Sequence, residues 1–394
     1  MSEHTRSDAW LTSKKHNIAR VPARRPTVIR LSFLSLSFLC LILILWHSDA
    51  VISYMKQGLS LCAKTVIPSL FPFMVISELL VASGGGEVLG KLFEKPFKRL
   101  FGISGAGVCA LIMGLICGFP IGTKTAVSLC RRGQISPEEL SRLICFCNIP
   151  SSAFLINAVG ISLFGSRRFG LFLYSACLIS SILTAQILRR TLSSPSSNPP
   201  EPPSASTHRN GGFTYAVTSA ATAMLYVCAY VVFFSALSGT IGQLLLHLGM
   251  GQTQIAFVSG LFELSGGVMQ ASAIENTVTS RWLTALFCGW SGISVHLQIL
   301  SLCDELPSEK RIGTARYFFC KGMQGFTCAM LCGIALYFAP SSWFESTELG
   351  GTSAVSSSSF QNIPAIINVS LLFFLILFLL WHICKRKKPC AKKG

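Results

Sequence analysis

The chain has 394 residues, of which 51% are hydrophobic and only 12% are charged, and its mean hydropathy is +0.57. Soluble domains carry roughly 25% charged residues, so this composition excludes an ordinary soluble fold. The net charge of +17 could suit a nucleic-acid-binding protein, but the basic residues lie between apolar runs instead of forming one patch. The sequence therefore predicts an all-α polytopic membrane protein whose partner is the lipid bilayer, with no nucleic acid as a partner.

Eight apolar runs are long enough to cross a bilayer, which takes about 20 residues in a helix. They span residues 29–46, 58–82, 140–164, 169–188, 213–237, 282–303, 317–339 and 363–383. Two further apolar stretches, 105–130 and 252–271, have glycines at their centres. We expect these two stretches to be re-entrant hairpins, which enter and leave the membrane by the same face.

The order of these parts predicts six segments. They are a basic cytoplasmic tail at 1–28, an N-terminal anchor helix at 29–57, a first repeat at 58–190, a proline- and serine-rich linker at 191–212, a second repeat at 213–339, and, at 340–394, an outer loop, a last transmembrane helix and a basic cytoplasmic tail. Cytoplasmic loops carry an excess of lysine and arginine. Most of the 33 basic residues, Lys321 among them, fall in segments that are cytoplasmic if the N-terminus is inside. We therefore expect a multi-pass protein of the cell membrane with both termini in the cytoplasm.

Each predicted repeat contains a crossing, a hairpin, a broken crossing and a further crossing, and the two repeats have opposite orientations. Turn-forming residues interrupt the broken crossings at 148–152 and at 289–294. Pro150 has no backbone N–H and leaves a carbonyl unpaired, which is tolerated at membrane depth only where the backbone is buried in protein or lines a wet cavity. Inverted repeats with broken helices are an architecture of secondary transporters. The alternative interpretation of Pro150 is a kink that only shapes packing.

The candidate substrate site combines the breaks with the hairpin turns, because half-helices that begin after a break present N–H groups that suit an anionic ligand. The predicted substrate-binding residues are Gly122, Thr123, Lys124, Asn148, Ser151, Ser152, Glu263, Ser265, Ser291 and Ser294. Lys124 either supplies positive charge to the substrate or anchors the first hairpin at the membrane interface. Glu263 holds a proton or a cation, or pairs internally.

Four motifs also resemble a known family. They lie, in this order, at 68–73, 118–124, 131–136 and 148–152, and the likeness extends over about residues 30–340. Together they resemble the sporulation integral membrane proteins of the YlbJ type, which belong to the nucleoside-recognition Gate group and have a plan similar to concentrative nucleoside transporters. The resemblance implies a role in endospore formation, in which dipicolinate moves from the mother cell toward the forespore across the outer forespore membrane.

Three functions remain open at this point. The first is the transport of a small organic anion, for which dipicolinate is the candidate that the resemblance implies. The second is the transport of a nucleoside or nucleobase, and the third is a membrane scaffold or receptor that transports nothing. The sequence leaves open whether Na⁺ or H⁺ is a coupling ion and whether the protein is a homo-oligomer.

No enzyme, cofactor or metal site is predicted. The chain has no His-Glu-x-x-His or Gly-x-Ser-x-Gly motif, and no paired intramembrane aspartates. The cysteine pairs at 145 and 147 and at 328 and 332 lack the nearby histidine or second cysteine pair that zinc requires. The sixteen cysteines lie mostly inside apolar runs, and we interpret them as reduced packing residues.

Overall fold

The computed structural model describes residues 27–84, 97–191, 212–304, 306, 313–338 and 344. Within these residues the regular structure is helical, and they contain no strand. The predicted crossing at 363–383, most of the linker at 191–212 and nearly all of both tails lie outside the described residues. Helix α1 (Thr27–Trp46) belongs to an N-terminal unit that ends at Ser48, and the remaining helices belong to a second unit.

The helices of the second unit follow the same order twice. In the first half they are α2 (Ser48–Ala82, with a π-helical stretch at Cys62–Val66), α3 (Gly105–Ile116), α4 (Ile121–Arg131), α5 (Pro137–Phe146), the π-helical α6 (Phe154–Leu163) and α7 (Arg167–Thr191). In the second half they are α8 (Phe213–His247), α9 (Gln252–Phe262), α10 (Leu264–Ser272), α11 (Thr277–Trp290), α12 (Gly292–Asp304) and α13 (Thr314–Phe338). Each half thus has a long helix, a helical hairpin, an interrupted helix and a second long helix. The opposite orientation of the two halves in the membrane stays a prediction.

Five helices in the described part of the chain are long and apolar enough to cross a membrane. They span Ser48–Ala82, Arg167–Arg190, Phe213–His247, Thr277–Asp304 and Thr314–Phe338. The predicted crossing at 140–164 does not form one long helix, because the chain is not helical between α5 and α6. The helices that contain the predicted crossings 58–82 and 213–237 extend beyond them, through polar residues such as Lys56 and Thr240, at which a search for apolar runs stops.

Apolar side chains on the outer surface fit a lipid environment. On α7 they recur at helical spacing, with Leu171, Ile179, Leu183 and Ile187 all exposed. An exposed apolar stripe of this length would promote aggregation in water, whereas lipid tails solvate it. The cysteines among the described residues are free thiols, and most are buried, as the sequence predicts.

The two helical hairpins occupy the stretches where glycine-centred hairpins are predicted. In α3 and α4, Gly114 and Gly122 face each other so closely that a Cβ at Gly114 would lie 3.0 Å from the Gly122 Cα. In α9 and α10, a Cβ at Gly267 would lie 2.1 Å from the Gly260 Cα. A side chain at either contact would push the arms apart, so the glycines set the distance between them. At the start of the first hairpin, the Ser104 N–H donates to Glu139 Oε1 of α5 at 2.6 Å.

Candidate solute cavity

A cavity of about 500 Å³ lies where the hairpin turns and helix breaks of both halves come together. The first half contributes Phe119 from its hairpin turn and Pro150 and Ser151 from its break. The second half contributes Glu263, Leu264 and Ser265 from its hairpin and Ser294 from the helix after its break. The cavity is within the range of about 300–1,000 Å³ that is typical of small-molecule sites. The structure therefore brings four predicted site residues, Ser151, Glu263, Ser265 and Ser294, to one cavity.

The first hairpin turn rests directly on the first helix break. Gly118 has a φ of +83°, and a Cβ there would lie 2.5 Å from the Ser151 backbone nitrogen. The next residue, Phe119, donates its N–H to the Ile149 carbonyl at 3.0 Å. Only glycine fits this left-handed conformation and this close approach. The Ser151 hydroxyl in turn accepts the Phe154 N–H at 3.2 Å, which caps the helix that follows the break.

The second half repeats this arrangement with different residues. Gly292 has a φ of +81°, and a Cβ there would lie 3.1 Å from the Leu264 backbone nitrogen at the second hairpin turn. The Trp290 indole donates to the Leu261 carbonyl at 3.1 Å, which also joins the hairpin to the break. Ser291 is left-handed as well, with a φ of +77°, and its buried hydroxyl has no hydrogen-bond partner among the described residues. A serine held in this conformation stores strain, which is typical of functional sites.

Glu263 is the buried acid of the cavity and caps a helix. Its carboxylate accepts the Ser265 N–H at 2.9 Å and the Gly266 N–H at 2.6 Å, at the N-terminus of α10. The positive end of a helix dipole stabilises a carboxylate at this position. Internal pairing is one of the roles predicted for Glu263, and these two N–H contacts are consistent with it. The alternative role, in which Glu263 holds a proton or a cation, stays a prediction.

Lys124 lies outside this cavity. It faces a second, polar cavity of about 350 Å³ that Arg131 and Thr218 also line. Its ammonium group forms an ion pair with Glu78 Oε2 at 3.3 Å and donates to Ser219 Oγ at 2.8 Å. The charge of Lys124 is thus balanced by a carboxylate, and the substrate role predicted for this lysine would have to act in the second cavity.

The remaining predicted residues support the first break. The Thr123 hydroxyl donates to Asn148 Oδ1 at 3.0 Å, and Asn148 Nδ2 donates to the Ile144 carbonyl at 3.0 Å. Gly122 packs against Gly114, as described above. Ser152 donates to the Ile116 carbonyl at 3.4 Å. These side chains join the first hairpin to the first break, whereas none of them lines the central cavity.

Several cavity residues are absent from the sequence prediction. They are Lys64, Thr65, Ser69, Asn157 and Gln298. The first three lie in or next to the π-helical stretch of α2, and Asn157 lies in the π-helical α6. π-Helical turns are rare and occur frequently at functional sites. The sequence signal for the π-helical stretch of α2 is Pro68. Proline has no N–H to give to the Lys64 carbonyl, so it interrupts the α-helical hydrogen bonds there.

A third cavity, of about 670 Å³, adjoins the central one. The two share Thr65, Phe154, Ala158, Ser162, Glu263 and Ser265 as lining residues. The larger cavity continues from these residues toward Tyr54 and Gln57 of α2 and Gln270 of α10. Together these two adjoining cavities form a space that is lined mainly by apolar surface, with several polar side chains, between the long first helices of the two halves and their hairpins.

The long apolar helices, the exposed apolar stripe and the cavity between two similarly ordered halves define an integral membrane protein with a solute-sized internal space. A family model described as "Gate: Nucleoside recognition" matches residues 63–167. The chain is 28% identical over 318 residues to "Sporulation integral membrane protein YlbJ" of Bacillus subtilis (strain 168), and the alignment covers 72% of this chain and 77% of that protein. No solved structure matches the chain. The resemblance to sporulation membrane proteins of the YlbJ type is therefore confirmed.

Proposed function

We propose that this chain is a membrane transporter that carries a small organic anion through the central cavity. The observation that supports this proposal is the convergence, on one cavity, of both hairpin turns, the first helix break and the start of the helix that follows the second break. A solute bound between two halves can be exposed to either face when one half moves against the other. Dipicolinate is the first substrate to test, because the confirmed resemblance to the YlbJ type implies it.

The charges and hydrogen-bonding groups of the cavity suit an anion with several oxygens. Among the described residues that line the cavity, one is basic, namely Lys64. Further hydrogen-bonding groups come from Ser151, Ser265, Ser294 and Gln298. A carboxylate 4 Å from the Lys64 ammonium would gain about 4 kcal/mol at an effective dielectric of 20, before desolvation. The negative charge of Glu263 is partly offset by the two N–H groups that it accepts.

The second candidate function is nucleoside transport. The match to a nucleoside-recognition model supports it, since that match contains α3, α4, α5 and α6. The amides of Asn157 and Gln298 in the cavity could pair with the edge of a base. A membrane scaffold or receptor is the third candidate, and it predicts that blocking the cavity changes no flux.

A blocked cavity separates these functions. We would reconstitute the parent, Ala158→Trp and Ala229→Trp in vesicles and measure the flux of dipicolinate and of uridine. Ala158 lines both adjoining cavities, whereas Ala229 is exposed on the apolar surface of α8, so the same substitution there is a matched control. We expect dipicolinate flux in the parent and in Ala229→Trp, and a loss of at least about ten-fold in Ala158→Trp. Flux of uridine alone would support the second candidate, and no flux of either solute would refute both transport proposals.

A further inference from the structure

Lys321, which the sequence predicts to lie in a cytoplasmic segment, is a fully buried lysine within a helix. It lies in α13, and only 1% of it is exposed. Its ammonium group donates to the Asn148 carbonyl at 2.8 Å and to Gln324 Oε1 at 2.8 Å. Gln324 Nε2 in turn donates to the Cys145 carbonyl at 2.9 Å. Lys321 therefore binds the first helix break from the opposite half of the chain.

These contacts satisfy carbonyls that the break leaves bare. A helix ends with carbonyls that have no donor four residues on, and the negative end of its dipole lies there. At the end of α5, Pro150 has no N–H for the Phe146 carbonyl, which the Ser181 hydroxyl binds instead at 2.5 Å. Lys321 and Gln324 serve two further carbonyls of the same segment. The donor of positive charge at this helix end is thus a lysine side chain.

Lys321 differs from Lys124 in its partners. Lys124 forms an ion pair with the Glu78 carboxylate. The Lys321 ammonium instead donates to a backbone carbonyl and to an amide oxygen, both neutral. Neutral carbonyl oxygens at an unwound helix end are the ligands with which broken-helix transporters bind Na⁺. The ammonium of Lys321 therefore occupies a position with the chemistry of a monovalent cation site.

We propose that Lys321 is the resident cation of the first helix break, and that its ammonium takes the place of a coupling Na⁺ there. The protein then needs no sodium ion to hold the break together. The part of this inference that concerns solute flux rests on the proposed transport function. The part that concerns stability does not rest on it.

The first test measures the melting temperature of the purified protein. We would compare the parent, Lys321→Ala and Lys98→Ala in NaCl, methylammonium chloride and tetramethylammonium chloride at equal ionic strength. Lys98 is exposed, so its variant is a control for the loss of one lysine charge. We expect the parent and Lys98→Ala to melt at the same temperature in all three salts. Lys321→Ala should melt about 5 °C or more below them in tetramethylammonium, and sodium or methylammonium, which fit the vacated space, should restore part of that loss.

Three results of this test would overturn the proposal. They are a parent that sodium stabilises specifically, a Lys321→Ala variant as stable as the parent in tetramethylammonium, and a destabilised variant that neither small cation restores. If Lys321→Ala does not fold, the parent alone decides, since the proposal requires that its melting temperature be the same in all three salts.

The second test measures dipicolinate flux by the parent with sodium replaced by N-methylglucamine on both sides of the vesicle. We expect the flux to change by less than about two-fold. Flux that requires sodium would refute the role of Lys321 and leave the transport function intact. Absence of flux in both media would refute the proposed function, and the melting experiment would still judge the resident cation.

Discussion

The contact between the first hairpin turn and the first break predicts a large effect for Gly118→Ala. The left-handed φ of +83° costs an alanine about 1–2 kcal/mol. The new Cβ would also lie 2.5 Å from the Ser151 nitrogen and 2.8 Å from its Cα, and backbone atoms of a packed segment can move only with their neighbours. Overpacking of this kind costs about 1–3 kcal/mol, so we expect a total of about 2–5 kcal/mol.

A second glycine separates the two contributions. Gly249 has a φ of +75°, but a Cβ there would meet no atom within 4 Å, so Gly249→Ala carries the conformational cost alone. We would measure the melting temperatures of both variants and of the parent in detergent, and dipicolinate flux in vesicles. Gly118→Ala should melt lower than Gly249→Ala, by about 1 °C for each kcal/mol of overpacking. It should also lose flux, because the collision moves Ser151 in the cavity. Equal melting temperatures for the two variants would refute the contact between turn and break.

Three further predictions concern other parts of the structure. Glu78→Gln leaves the Lys124 ammonium buried without its carboxylate and should destabilise the protein by about 3–5 kcal/mol in thermal melts. Adding Lys124→Met to this variant should recover most of that loss. If the effects of the two substitutions simply add, they would contradict a buried pair. Ser151→Ala removes a cavity hydroxyl and a helix cap and should lower flux about ten-fold. Ser152 lies outside the cavity, so Ser152→Ala should have a smaller effect. Equal losses of flux in the two variants would argue against the assigned cavity. Glu139 precedes the predicted crossing, and burial raises the pKa of its carboxyl group, so the folded state favours the protonated form. The parent should therefore lose stability as the pH rises from the unfolded pKa through the raised folded pKa. Glu139→Gln keeps an oxygen acceptor and should avoid this loss, so its melting temperature should rise relative to that of the parent as the pH increases. A difference in melting temperature between variant and parent that stays constant with pH would exclude this explanation.

The parts of the fold that the sequence predicted are those with a local cause. Pro150 cannot donate to the carbonyl four residues before it, and glycines alone permit the close approach of hairpin arms, so both the first break and the two hairpins could be located from residue type and spacing. The second break was predicted at 289–294, and the structure interrupts the helix at Ser291, within that range.

The parts that the sequence did not predict depend on residues far apart in the chain. The partner of Lys124 is Glu78, which is 46 residues away, so no rule of helical spacing could pair them. Lys321 follows closely after three other basic residues, and charge counting therefore assigned it to a cytoplasmic segment. Only the packing of α13 against the first half reveals that its ammonium is buried. The π-helical lining of the cavity leaves no periodic pattern in the sequence, apart from the missing N–H of Pro68.

The bond between Lys321 and Asn148 also sets an order of assembly during synthesis. These two residues are 173 positions apart, so the ribosome must produce the second half as far as α13 before the carbonyls of the first break find their donors. The membrane-embedded first half must therefore wait, with an open backbone segment, until the last helix of the second half arrives. In a chain that stops before residue 314, the carbonyls of Cys145 and Asn148 should therefore lack these donors, and a separately expressed second half should supply them.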